Sequence, residues 1–196
     1  MKISLMNKQR FVLKPKPAQG GFSVIELMVV VSIVGVLTAL AAPSMSELIA
    51  RWRTNAVAEQ VASALTLARV EAIRRSGNVV MQKSNSTYSG STNNCSTNQQ
   101  WSCGFILYAD VDRNGSQDAG DVVLREIDIP PGISLLNMSG ASNAALTFNR
   151  WGLGNQGLNA MHFRIRKIGL ATADKSVCVS SGGRIRTVNS IDCPTS

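Results

Sequence analysis

Residues 22–42, FSVIELMVVVSIVGVLTALAA, form an apolar run whose only charge is Glu26. As a helix rising 1.5 Å per residue, such a run reaches about 30 Å, the thickness of a bilayer core. Beyond it the pattern becomes amphipathic. Val57, Val61, Ala64, Leu65, Ala68 and Ala72 recur at helical spacing, with Arg51, Arg53, Glu59, Arg69, Arg74 and Arg75 mostly on the other side. Gly77, just after Arg74-Arg75-Ser76, is a C-terminal stop signal. The pattern predicts one helix from about 23 to 76, loosened at Pro43, where a backbone hydrogen bond is lost. After Gly77 the period shortens to that of strands. Candidates are 78–83, 103–109, 122–129, 133–138, 145–149, 161–167, 176–179 and 185–188, with a polar Ser/Thr/Asn-rich loop over 84–100 and a turn at Pro130-Pro131-Gly132. Many antiparallel strands against one helix face predict an α+β fold with a β-sandwich-like head.

Charge sharpens this division. The chain carries a formal +8. Residues 1–21 hold Lys2, Lys8, Arg10, Lys14 and Lys16 and no acid; taking those five from the 20 bases leaves 15 against 12 acids. The basic residues before the apolar run predict a cytoplasmic N-terminus and an exported C-terminal part. Ala39, Ala41 and Ala42 also imitate a secretory cleavage site, but an acid near the start of the run is foreign to such signals. A carboxylate in the membrane costs roughly 2.5–3.5 kcal/mol, so Glu26 calls for a partner. The cysteines form two sequence pairs, Cys95 with Cys103 and Cys178 with Cys193, without metal-knuckle spacing and with His162 the only histidine. Two disulfides in an oxidising compartment fit best. Of three connectivities, the two local bridges are favoured because they close short segments of loop-like composition.

Gly20-Gly21-Phe22-Ser23-Val24-Ile25-Glu26-Leu27 resembles the processing site of type IV pilins and type II secretion pseudopilins. The resemblance implies cleavage by a prepilin peptidase after Gly21 and N-methylation of Phe22. It implies assembly with other pilins through the N-terminal helix, in which Glu26 of one subunit neutralises the new ammonium at Phe22 of its neighbour. Further pieces resemble the minor pilins of the FimT and FimU type and the GspH-type pseudopilins: residues 64–75, the strand after Gly77, Phe105 to Asp121, Thr147-Phe148-Asn149 with Gly152, and Gly183-Arg184-Ile185-Arg186. The expected organisation is a leader at 1–21, a helix at 22–76 (membrane and assembly part 22–42, amphipathic part 43–76), and a periplasmic β-rich domain at 77–196. The implied setting is the inner membrane, spanned once, with incorporation into a pilus or pseudopilus.

In FimT-like proteins a C-terminal Gly-Arg-x-Arg element is linked to DNA binding during natural transformation. The resemblance therefore implies DNA binding at Gly183, Arg184 and Arg186. Residues two apart on an extended segment face one side, where two guanidinium groups suit phosphates. Arg164, Arg166, Lys167 and Lys175 would add support; from Arg150 onward seven bases face two acids. Such binding would be phosphate-driven and independent of sequence. A solvated sheet surface is the competing reading, and with it an assembly role of the FimU or GspH kind, priming a pilus or a secretion pseudopilus. Asp110, Asp112, Asn114, Asp118 and Asp121 have the spacing of a calcium loop set in a β-hairpin, and equally that of an Asx-rich turn. No metal and no cofactor is assigned. His162 reads as a satisfied or surface histidine, and Trp52, Trp101 and Trp151 as packing residues. Phosphate loop, nucleophile elbow and metalloprotease motif are absent from the sequence, and no catalytic residue is expected.

Overall fold

The computed structural model describes residues 21–84, 95–139, 144–154 and 161–194. The leader through residue 20 and most of the polar loop expected over 84–100 lie outside the described residues, as do the side chains at 41–44, the expected proline break among them. The chain divides into two compact units, Met1–Ala42 and Pro43–Ser196. Helix α1 (Val24–Arg74) contributes to both.

In the first unit the helix presents apolar side chains on every side; Val24, Ile25, Leu27, Met28, Val31, Val36 and Leu37 are all exposed. Its hydroxyls are satisfied internally, Ser32 donating to the Met28 carbonyl (2.8 Å) and Thr38 to that of Val34 (2.9 Å). Among the described residues no single helix is long and apolar enough to cross a membrane. Val24–Leu40 and Met45–Arg74 taken together meet the length and composition of a span.

In the second unit the amphipathic stripe is the helix's buried face: Val57, Val61, Ala64, Leu65, Ala68 and Ala72 are almost wholly inaccessible. Burying them is what stabilises this half of the helix. The helix stops as a Schellman turn. The Ser76 N–H donates to the Ile73 carbonyl (3.3 Å) and that of Gly77 to the Ala72 carbonyl (2.7 Å). Ser76 takes the left-handed conformation (φ 61°) that the pattern had led one to expect only of Gly77.

Eight strands follow: β1 (Val79–Lys83), β2 (Phe105–Ala109), β3 (Val122–Ile127), β4 (Ile133–Asn137), β5 (Ala145–Phe148), β6 (Met161–Lys167), β7 (Leu170–Val179) and β8 (Ile185–Val188). They make two four-stranded antiparallel sheets, ordered β3-β2-β1-β5 and β4-β6-β7-β8. The inner faces, with Met81, Leu107, Leu146 and Phe148 from the first sheet and Leu135, Phe163, Ile165 and Val177 from the second, share one core with the helix stripe. Trp101 lies within it, edge-on to Phe163 with ring centres 5.5 Å apart and 5.8 Å from Phe105.

Strand β7 is six residues longer than the stretch 176–179 expected from the pattern. The segment 170–175 lacks the alternation of a strand. It becomes one because a two-residue turn with Gly169 at φ 82° returns it onto β6, pairing Lys167 with Leu170. Tertiary pairing overrides weak local preference here. Trp52 and Trp151 also depart from expectation: both are about 70% exposed, and only Trp101 is a packing residue.

Candidate functional site

Gly21, Phe22 and Ser23 precede the helix, and the Ser23 carbonyl accepts the Leu27 N–H at 3.2 Å. Phe22 is exposed, and Glu26 stands in the first turn, four residues on. A carboxylate there faces free backbone N–H groups and the positive end of the helix dipole.

At the other end of the chain, a turn leads from β7 into β8, the marginal strand of the second sheet. The Gly183 N–H donates to the Ser180 carbonyl (2.8 Å), the Ser180 N–H to the Arg184 carbonyl (3.0 Å), and the Arg184 N–H to Ser180 Oγ (3.1 Å). Gly183 is buried at φ 79°, and its carbonyl accepts a 2.5 Å hydrogen bond from Arg69 Nη1 on α1. Arg184 is exposed, and among the described residues its guanidinium has no partner. Arg186 pairs across the sheet with Cys178, which pairs with His162. Its Nη2 donates to the Pro194 carbonyl at 2.8 Å.

The tail is tied down over the outer face of this sheet. Both local disulfides are formed, Cys95–Cys103 and Cys178–Cys193. The Ile191 carbonyl accepts from Ser176 Oγ (2.6 Å), His162 Nε2 (2.8 Å) and Arg164 Nε (3.1 Å). Because a carbonyl only accepts, His162 carries its hydrogen on Nε2. Burial pulls the His162 pKa below its ordinary value, helped by the neighbouring Arg164 charge and opposed by the Ile191 hydrogen bond and Asp192.

Of the basic residues expected to support Arg184 and Arg186, four are already engaged. Arg164 is ion-paired with Asp192, and Arg166 with Asp174 at 3.1 Å. Lys175 donates to Asn189 Oδ1 (2.5 Å) and Lys167 to the Gly132 carbonyl (3.4 Å). Local basicity counted along the sequence therefore overstates the free positive charge.

The acidic turn between β2 and β3 is also internally satisfied. Asp110 is buried, and its carboxylate accepts from the N–H of Asn114 (3.2 Å) and Gly115 (2.8 Å). Asp121 accepts from the N–H of Val111 (2.9 Å) and Asp118 (3.1 Å). Asn114 Nδ2 bridges Asp112 (2.7 Å) and Asp118 (2.8 Å). Hydrogen bonds from Gly120 and Asn114 lower the Asp118 pKa. Burial, then the charges of Asp110, Asp121 and Asp118, push the Tyr108 hydroxyl up to about 12. Oxygens of Asp110, Asp112 and Asp121 lie within 4.8 Å of one another. The hydrogen bonds are those of an Asx-rich turn.

The family profile described as Type II transport protein GspH matches residues 57–183. The chain belongs to the GspH family. The profile described as Prokaryotic N-terminal methylation motif matches residues 16–42. Two crystal structures of the type IV minor pilin FimU of Pseudomonas aeruginosa (strain PAO1) are similar to this GspH-family chain. One, in space group P21, has a TM-score of 0.53 at 22% identity and covers 69% of this chain and 88% of its own. The other, in space group P65, has a TM-score of 0.49 at 20% identity and covers 68% and 91%. No curated protein matches the sequence. The protein has the α+β pilin-like fold, and its family is one of structural pilins and not of enzymes. Membership implies assembly with other pilins, processing by a prepilin peptidase, and anchoring through the N-terminal helix.

Proposed function

We propose that this GspH-family subunit binds DNA without regard to sequence, through Arg184 and Arg186, and presents it for uptake at a type IV pilus. The observation that carries the reading is an exposed Arg184, unpartnered among the described residues, beside Arg186 at the start of a marginal strand. A planar guanidinium suits phosphate oxygens, and a turn already closed by its own hydrogen bonds loses little entropy on binding. With Arg164 and Arg166 ion-paired, one copy offers few phosphate contacts. Binding is then weak and salt-sensitive, and firm capture needs several copies or partners. The test is the affinity of the full chain in detergent for duplex DNA, compared with Arg184→Gln/Arg186→Gln. Equal affinities would remove the site.

A second reading is favoured by the same ion pairs: a face whose arginines are neutralised also suits a subunit that only assembles, priming a pilus or a secretion pseudopilus. Deletion separates the two. Lost DNA uptake with normal filaments supports the first; lost piliation or secretion supports the second.

Either role rests on one biogenesis route, which we also propose. The leader is cut after Gly21, Phe22 is N-methylated, and residues 22–42 anchor the subunit once in the inner membrane with the head at 77–196 periplasmic. Glu26 answers the new ammonium of a neighbouring copy. Mass spectrometry of the native protein decides it: the expected chain starts at methylated Phe22, and a start near 42 would overturn the route.

A further inference from the structure

We propose that Arg69 is the positioning residue of the Gly-Arg-x-Arg turn, and that Gly152 and Gly183 are the two walls of a slot shaped for its side chain. Arg69 lies one helical turn after Leu65, which is in the core, and is itself half-buried. Its side chain runs between two turns. On one side, a Cβ at Gly152 would stand 2.5 Å from Arg69 Cγ. On the other, a Cβ at Gly183 would stand 2.6 Å from Nη1 and 2.8 Å from Cζ. Both glycines have positive φ, 69° and 79°. Backbone conformation favours glycine at both positions; at Gly152 the Arg69 stem and its backbone carbonyl (3.2 Å) also deny space, whereas at Gly183 the crowding atoms are the movable guanidinium end of Arg69.

The bond at the end of the slot gives the device its effect. Arg69 Nη1 holds the Gly183 carbonyl at 2.5 Å, and that carbonyl shares a rigid peptide plane with the Arg184 amide. Fixing the plane fixes the direction in which the chain enters Arg184. The turn's own bonds, among Ser180, Gly183 and Arg184, close it locally. Among the described residues, the bond from Arg69 is the hydrogen bond that ties it to α1. Glycine at 183 thus serves a contact beneath the turn rather than close approach by a ligand from above.

The consequence for nucleic acid rests on the DNA reading above; the effect on the turn does not. Two measurements on the full chain in detergent separate them. In the first, amide hydrogen exchange is followed over 180–186 and over β2. Arg69→Gln is expected to speed exchange in 180–186 and leave β2 unchanged. Unchanged exchange at 180–186, or equal loosening of β2, overturns the inference whether or not the protein binds DNA.

In the second, affinity for duplex DNA at low salt is expected to fall about fivefold in Arg69→Gln, the scale of one surface charge contact. In an Arg184→Gln background the same change is expected to cost nothing more, because Arg69 acts through Arg184. Losses that multiply would mean that Arg69 meets phosphate itself, and would overturn the positioning role. If the wild-type chain does not bind duplex DNA, the nucleic-acid reading falls and the exchange measurement alone decides. Should Arg69→Gln fail to fold, Arg69→Lys, which keeps the stem in the slot, is read in the same two ways. Gly183→Ala is expected to loosen 180–186 as Arg69→Gln does, since its methyl group displaces the guanidinium.

Discussion

The acidic turn after β2 and the basic face of the sheet that ends in β8 both gather charge, yet they use it in opposite ways. Asp and Asn side chains are short and accept hydrogen bonds, so they fold back onto N–H groups two to five residues away, as at Asp110, Asp112 and Asp118. Arginine is long and only donates. Its partners must be carbonyls or carboxylates brought from elsewhere: Arg164 finds Ile191 and Asp192, and Arg186 finds Pro194. An acidic turn can satisfy itself wherever it stands. A basic face is satisfied only as far as the rest of the fold supplies acceptors, and among the described residues Arg184 is what that supply leaves over.

Four perturbations break or sharpen this contrast. The largest effect is expected where the basic side depends on a covalent tie. Cys178 and Cys193 are 15 apart in sequence, and replacing both with serine should cost about 3 kcal/mol by loop entropy. A denaturant series on the full chain measures it, and midpoint loss should accompany faster exchange at Ile191. Next comes the acidic side. Asp110→Ala leaves the Gly115 N–H without its acceptor and the Asn114 N–H with Asp112 alone, and should cost about 2 kcal/mol. A smaller loss there would mean that the turn does not depend on its buried carboxylate.

A pH series gives a smaller effect. The His162 pKa is lowered in the folded protein, so its contribution is complete above the ordinary value of 6.5 and is lost as pH falls through the folded pKa. The thermal midpoint of the wild type should therefore fall more steeply below pH 6.5 than that of His162→Gln. The smallest effect is expected from Asp192→Asn, which removes the carboxylate that neutralises Arg164 and, on the DNA reading, should raise affinity about twofold with a steeper salt dependence. No change in either quantity would show that Arg164 does not face the bound strand.

What could be read in advance follows the range of the interactions. Strands β6 and β8 were legible at both ends because alternation is local, and the buried stripe of α1 because helical spacing is local. The opening half of β7 was not, since its partner strand makes it extended. Nor were the ion pairs. Arg164 and Asp192 are 28 residues apart, and Arg69 reaches Gly183 across 114. The arginine pair itself was legible as a motif, whereas the engagement of Arg186 by Pro194 required the tail to be seen lying over the sheet. The exposure of Trp151 was missed for the same reason: an aromatic in a turn carries no sequence sign of which way it is covered.

Strand β8 ends its sheet, leaving a row of peptide groups along one margin. Such margins invite a second molecule to stack strand against strand, and bulky charges discourage it. Arg184 and Arg186 place two such charges at that margin, in a protein whose family implies assembly with other pilins. Glutamine substitutions remove the charge but stay hydrophilic, whereas valine or isoleucine at these positions would turn the margin adhesive.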